Sequence, residues 1–201
     1  MEKLFKYINP KRVIDVGAHV GEFTKTIQSK FPTCDIIMVE ANPNCEPYLT
    51  LLGKPYDMVG LFDKEGYETF YLEKINPIPT GASIYKENTI WYDEGKYETI
   101  QIPTSTLDIK NYFNGETIDL LKMDTQGSEL DILNGGQKTL ERTEFVLIEV
   151  STVKYNLNTP MMDKVVDKMI QSGFNIVDIV EYHINNGLIF QLDILFKKSN
   201  V

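Results

Sequence analysis

Four acidic side chains stand where they could do chemistry. Asp15, Glu40, Asp124 and Glu149 lie inside or at the end of the apolar runs Val13-Ile-Asp-Val16, Ile36-Ile-Met-Val39, Ile118 to Met123 and Phe145-Val-Leu-Ile148. A carboxylate at a strand end can accept sugar hydroxyls, balance a cation or take up a proton. The first acid is followed by Gly17 and Gly21, so a ligand could approach the backbone where the free N–H groups of a new helix open outward. A pyrophosphate there would be repelled by Asp15, whereas a ligand carrying an ammonium group would be held by it. Glu40 follows by about 25 positions, close to the spacing of an acid that binds ribose after the second strand. His19 stands where a dinucleotide fingerprint wants its second glycine, which hinders close approach of a pyrophosphate. The pattern favours a nucleoside joined to an amino acid over a dinucleotide.

Positioning these acids calls for strands that alternate with helices. Leu4, Phe5 and Ile8 can share one face of a short helix that Pro10 ends, and strand one begins near Arg12. Phe23, Ile27 and Phe31 recur every four positions and predict a helix over about 21–30, stopped by Pro32. The run Ile36 to Val39 lacks alternation, as expected of a strand covered on both faces in a parallel sheet. A second helix follows Asn44, a candidate cap, and ends at Gly53. Met58 to Phe62 reads as strand three, then a turn at 63–66 leads to a further strand, Tyr67 to Leu72. Residues 73–97 carry Pro77, Pro79, Gly81 and Gly95 without a sustained period and predict a functional lid. A short strand at Ile100 to Pro103 and a helix capped by Thr106 follow.

The second half supplies a strand over 118–123, a brief helix over 128–133, and a strand over 145–148. Thr159-Pro160 reads as the N-cap and first turn of an amphipathic helix whose stripe is Met162, Val165, Val166, Met169 and Ile170, closed by Gly173. Two last strands, about 175–180 and 188–196, flank a turn at Asn185-Asn-Gly187 and predict an antiparallel hairpin. The order describes one α/β domain over 1–201, a doubly wound, mostly parallel, Rossmann-like sheet of the seven-stranded type with a reversed last strand. An inserted hairpin and loop occupy about 63–105. Ligands of such sheets sit at the carboxyl ends of the strands, where the four acids gather.

Composition narrows the partners. With 29 acidic and 20 basic residues in 201, the net charge of -9 disfavours nucleic acid. The N-terminus has no signal-peptide core, and no apolar run approaches the ~20 residues of a membrane span. These features predict a soluble, cytoplasmic protein with no membrane partner and set no oligomeric state. Cys34 and Cys45 stand outside any metal-ligand spacing and read as ordinary thiols.

Val13-Ile-Asp-Val-Gly-Ala-His-Val-Gly21, Val39-Glu40, Thr106-Leu-Asp108, Leu121-Lys-Met-Asp-Thr-Gln-Gly-Ser-Glu-Leu130, Leu133-Asn-Gly135, Glu149 and Leu192-Asp-Ile-Leu-Phe196 together resemble the FkbM-type S-adenosylmethionine-dependent methyltransferases. The Lys-x-Asp-x-x-Gly-x-Glu segment is the specific one. The resemblance, spanning about 13–196, implies a class I methyltransferase fold, S-adenosylmethionine as cofactor with S-adenosylhomocysteine as product, and usually O-methylation. It implies that Asp15, Gly17 and Gly21 surround the methionine part of the cofactor, with Ala18, His19, Phe23 and Thr24 of the same turn and helix start. Glu40 would bind ribose, Ala41 and Asn42 would line the adenine side, and Asp63 would stand near the adenine amino group. Ser83 resembles a serine of the family's variable loop. His19 departs from the more usual Asn, and its backbone is expected to matter more than its ring.

Methyl transfer from a sulfonium is an in-line displacement dominated by positioning, and a hydroxyl acceptor must also lose its proton. Asp124 is the first candidate base, bordering cofactor and acceptor, with Glu129 and Glu149 next; Asp124 could instead bind cofactor or cap the following helix. Two carboxylates beside a vicinal diol could hold Mg²⁺, a less favoured route, and no residue is assigned as a metal ligand. His19 and His183 read as structural or exposed, lacking an identifiable carboxylate partner. Trp91, Tyr92 and Tyr97 would stack on an acceptor or anchor the loop. Lys122 should point to the same side as Asp124 and serve as its ion-pair partner. The expected activity is methylation of a hydroxyl on a sugar, glycan precursor or other small molecule. The alternatives are an NAD-dependent oxidoreductase and a non-catalytic cofactor-binding module.

Overall fold

The fold is described from a computed structural model for residues 1–154 and 156–199. A 3₁₀ turn at Leu4–Lys6 precedes β1 (Arg12–Val16), α1 (Glu22–Lys30), β2 (Asp35–Glu40), a 3₁₀ turn at Pro43–Cys45, α2 (Glu46–Thr50) and β3 (Tyr56–Met58). The chain then leaves the main sheet for β4 (Gly60–Leu61), β5 (Gly66–Glu73) and β6 (Tyr97–Ser105), and returns through α3 (Leu107–Lys110) to β7 (Ile118–Met123). The remainder is α4 (Glu129–Asn134), α5 (Gln137–Glu141), β8 (Thr143–Ser151), α6 (Met162–Gln171), β9 (Phe174–Asn185) and β10 (Leu188–Lys198).

The main sheet has seven strands in the order β3-β2-β1-β7-β8-β10-β9, and β10 alone runs antiparallel to its neighbours. This is the doubly wound sheet with a reversed last strand that the alternation of apolar runs predicts. β1 and β7 are neighbours, so the chain reverses its winding between them and opens a crevice at their carboxyl ends. Both faces are covered. Ile14, Val16, Leu121, Val146 and Ile148 pack with Ile132 and Leu133 of α4 and Val165 and Met169 of α6 on one side. Val13, Ile36, Met38, Leu120 and Leu147 pack with Ile27 of α1 and Leu49 of α2 on the other. Adjacent residues of β1 thus point to opposite cores, which is why its run shows no polar alternation.

Three local expectations need correction. The stretch 58–62 is not one strand: β3 ends at Met58 on the edge of the main sheet, and Gly60–Leu61 pairs with β6 in a separate sheet of order β4-β6-β5. The cap of the turn after β2 is Asn42, whose side chain accepts from Asn44 N, rather than Asn44 itself. Thr159-Pro160 does not start α6, which begins at Met162 after Met161; Thr159 Oγ1 donates to the Asn156 carbonyl instead. The hairpin turn has Asn186 and Gly187 with positive φ of 50° and 79°, the left-handed pair that matches the twist of antiparallel strands. Among the described residues, no helix is long and apolar enough to cross a membrane.

Candidate functional site

A cavity of about 450 Å³ opens at the carboxyl ends of β1, β2, β7 and β8. One wall is built by the turn after β1. Gly17 N and Ala18 N both donate to the Val39 carbonyl, at 2.9 and 3.1 Å. Gly17 has φ +71°, and a Cβ there would run into the Asp124 carbonyl, so glycine is what lets β1 and β7 end side by side. The next bend places His19 N 2.7 Å from Glu40 Oε2, while Asn42 N lies 2.7 Å from Oε1. Glu40 is thus clamped by two backbone N–H groups, each of its oxygens keeping a lone pair for a further donor. Burial pushes its pKa up, against those two bonds, which pull it down.

Asp15 does not reach the cavity. Its carboxylate is sealed beneath the turn, accepting from Thr24 Oγ1 at 2.7 Å and facing Lys122 Nζ at 3.3 Å. Lys122 Nζ also donates to the Gly17 carbonyl at 2.9 Å and lies 3.7 Å from Asp124 Oδ2. Burial by itself would lower the Lys122 pKa, but Asp15 and Asp124 more than reverse this and the net direction is up. The expectation that Asp15 meets a cationic ligand directly therefore gives way: its charge is already matched by Lys122. Thr24 and Phe23 belong to the same buried arrangement, the Phe23 ring centroid lying 5.7 Å from Lys122 Nζ. Gly21 lies against Leu52, and Ala18 is buried in the core. Neither lines the cavity, and nor does Asp63, which packs beside Gly135.

Gly17, His19, Glu40, Ala41, Asn42, Asp124 and Glu149 do line it. On the far wall, Gln126 Nε2 donates to Asp124 Oδ1 at 2.8 Å and to Glu149 Oε1 at 2.7 Å, and Gln191 Nε2 donates to the same Glu149 oxygen at 2.6 Å. Burial, then the charges of Asp124 and Asp193, push Glu149 up to about 9. Burial and Asp124 push Asp193 up to about 6. Glu129, a candidate base by sequence, is turned away: it accepts from Thr125 N, Thr125 Oγ1 and Gly127 N, folding the turn that precedes α4. Asp124 therefore does not cap that helix.

Residues 79–82 and 84, from the connection between β5 and β6, form the roof. The connection is tied down by Ser83 Oγ, 2.9 Å from the Gln126 carbonyl and 3.1 Å from that of Thr125, by Asn42 Nδ2 to the Pro77 carbonyl at 3.0 Å, and by the His19 ring to the Ile78 carbonyl at 3.2 Å. The His19 ring thus holds the roof while its N–H holds Glu40. Tyr92 is buried against Tyr97, with centroids 6.4 Å apart, so these rings anchor the loop, and Trp91 is exposed outside the cavity. His183, which the sequence alone reads as structural or exposed, lines the cavity from β9, together with Phe190 and Gln191 of β10, which the sequence does not single out. His183 does have carboxylate partners, Glu149 at 3.5 Å and Asp193 at 4.0 Å. The NG turn was a usable signal, since it folds 183 back onto 190 and 191.

A seven-stranded sheet with one reversed strand and a cavity between the ends of β1, β2 and β7 defines a Rossmann-like fold of the class I methyltransferase type. The comparisons agree. The fold matches the TehB-like S-adenosylmethionine-dependent methyltransferase from Corynebacterium glutamicum, with TM-score 0.51 and 8% identity over 98% of this chain and 86% of that one. It matches magnesium protoporphyrin IX methyltransferase from Synechocystis with bound S-adenosylmethionine, with TM-score 0.54 and 9% identity over 98% and 74%. It also matches the N-terminal domain of EvdMO1 with bound S-adenosylhomocysteine, with TM-score 0.55 and 7% identity over 98% and 79%. No curated protein sequence matches the chain. The methyltransferase FkbM domain matches residues 15–176, and the chain belongs to that family.

Proposed function

We propose that this chain transfers a methyl group from S-adenosylmethionine to a hydroxyl of a small molecule or glycan precursor. The observation that carries the reading is the pairing, across one cavity, of Glu40 with Asp124 and Glu149. Family membership makes S-adenosylmethionine the expected cofactor, and the residues fit it. The free lone pairs of Glu40 suit the ribose hydroxyls, Ala41, Leu61, Phe70 and Ile84 offer apolar surface for a base, and the Gly17 backbone leaves room for the amino-acid end. When bound, the cofactor supplies an electrophilic methyl on sulfur.

The remaining work falls to the far wall. Asp124 is partly exposed and faces the cavity, so it can accept the proton that the acceptor hydroxyl gives up as the new C–O bond forms. Glu149, pushed up to about 9 by burial first, stands beside it and is held in place through Oε1 by Gln126 and Gln191. Gln126 fixes both carboxyl groups at once. Residues 79–82 and 84 roof the cavity and would limit the access of water to the reacting groups.

Calorimetry with S-adenosylhomocysteine and with NAD tests the reading. Binding of the first at one site, and not of the second, is expected; binding of NAD alone would sink it. Asp124→Asn should keep the fold and S-adenosylhomocysteine affinity while lowering turnover by roughly 10²–10⁴-fold, the usual share of a general base. Full turnover in that variant would remove Asp124 from this role.

A further inference from the structure

Glu149, His183 and Asp193 come from three adjacent strands, β8, β9 and β10, and meet at the far end of the cavity. Glu149 and Asp193 are direct cross-strand partners, a placement in which two like charges oppose each other. The one buried cation among the described residues, Lys122, is drawn to Asp15 on the other side of Asp124. His183 Nε2 is buried without a hydrogen-bond partner while lying 3.5 Å from Glu149 Oε2 and 4.0 Å from Asp193 Oδ1. Separations of roughly 3 to 4.2 Å are those of donor atoms sharing one ion at about 2.1 Å. The other Glu149 oxygen is occupied by Gln126 and Gln191, which orients Oε2 toward the histidine, as outer hydrogen bonds orient metal ligands.

We propose that Glu149 Oε2, His183 Nε2 and Asp193 Oδ1 bind one divalent transition cation at the edge of the cavity. One imidazole with two carboxylates suits Mn²⁺, Fe²⁺, Co²⁺ or Zn²⁺, because Mg²⁺ prefers an all-oxygen, largely hydrated shell. Burial and then the charge of Asp124 push both acids up, and a bound cation would offset both effects. Glu149 and His183 also line the cavity, so the ion borders the acceptor space. Its catalytic consequence, which rests on the methyltransferase reading, is to bind the acceptor oxygen and acidify its hydroxyl. The hydroxyl proton still passes to Asp124.

The test is titration of the chelator-treated, refilled-buffer protein with MnCl₂ alone, followed by calorimetry and by pulsed electron paramagnetic resonance, with S-adenosylhomocysteine calorimetry on the same sample. One bound Mn²⁺ showing coupling to an imidazole nitrogen is expected. His183→Gln and Asp193→Asn should each weaken it at least tenfold, while the exposed Glu65→Gln leaves it unchanged. The wild-type nitrogen signal stands even if a variant fails to fold. Absence of Mn²⁺, Co²⁺ and Zn²⁺ binding in protein that still binds S-adenosylhomocysteine would overturn the metal site and leave the methyltransferase reading intact. Binding without imidazole coupling, or undiminished in a folded His183→Gln protein, would overturn it equally. Metal binding without S-adenosylhomocysteine binding would support the site and count against the cofactor.

Discussion

Lys122 Nζ lies 3.3 Å from Asp15 Oδ1, beneath the turn that forms one wall of the cavity. The pair joins β1 to β7 from inside the sheet, and the lysine's further bond to the Gly17 carbonyl carries the link into the turn. Removing one partner strands a charge in the interior. Lys122→Met should therefore cost about 3–5 kcal/mol, and Asp15→Asn less, because Asp124 still faces the lysine at 3.7 Å. The double variant should lose much less than the two single losses combined, because neither charge is then left alone. Urea unfolding of the four proteins checks this; simple additivity would show the pair to be uncoupled.

Glu40 presents a different balance. Its carboxylate accepts one backbone N–H on each oxygen and faces the cavity. Glu40→Ala should lose roughly 1.5–3 kcal/mol of S-adenosylhomocysteine affinity, the range for hydrogen bonds to a charged group. Calorimetry reads this directly, and an unchanged Kd would take Glu40 out of the ribose role.

The two thiols give a pH prediction. Burial pushes Cys34 up to about 11, with smaller contributions from Asp119 and Asp35, and Cys45 up to about 12, with Glu40 adding to burial. Raised values mean that the folded chain keeps these protons after the unfolded chain has lost them. The stability they carry is full below the unfolded thiol pKa of about 8.5 and is lost as pH rises toward 11 to 12. Ellman's reagent at pH 8 should label neither thiol quickly in native protein and both at once in denaturant. Rapid native labelling of either would contradict its burial.

The alternation of apolar runs made the main sheet readable, because a strand buried on both faces leaves an unbroken run such as Ile36 to Val39. The acids at the strand ends were readable for the same reason, being polar residues that interrupt or close such runs. What lay beyond the sequence was direction and register. Asp15 and Glu40 look alike as acids near strand ends, yet Asp15 points into the sheet toward Lys122 and Glu40 points to the cavity. The NG turn alone would pair His183 with Phe190. A bulge between Ile189 and Gln191 shifts the partner to Gln191, and the Glu149–Asp193 pairing depends on a register between strands distant in sequence. No local pattern encodes either. The break between β3 and β4 was hidden because Val59 is buried in the core together with Leu61 of β4, so the apolar run reads as continuous.

Ser83 gives the last prediction. Its single hydroxyl hydrogen is shared between the Thr125 and Gln126 carbonyls, at 3.1 and 2.9 Å, and its oxygen accepts from Tyr85 N at 3.1 Å. One buried atom thus fastens the roof of the cavity to the turn after β7, next to Asp124. Ser83→Ala leaves those backbone groups without a partner, a penalty of about 1–3 kcal/mol. The loss should be local, because β1 and β7 do not depend on this contact for their pairing. Hydrogen exchange should therefore quicken at 79–87 and 125–127 while the strand amides keep their protection, and S-adenosylhomocysteine affinity should fall as the roof loosens. Exchange unchanged in both segments would mean that the remaining ties, from Asn42 and His19 to the Pro77 and Ile78 carbonyls, hold the roof without the serine.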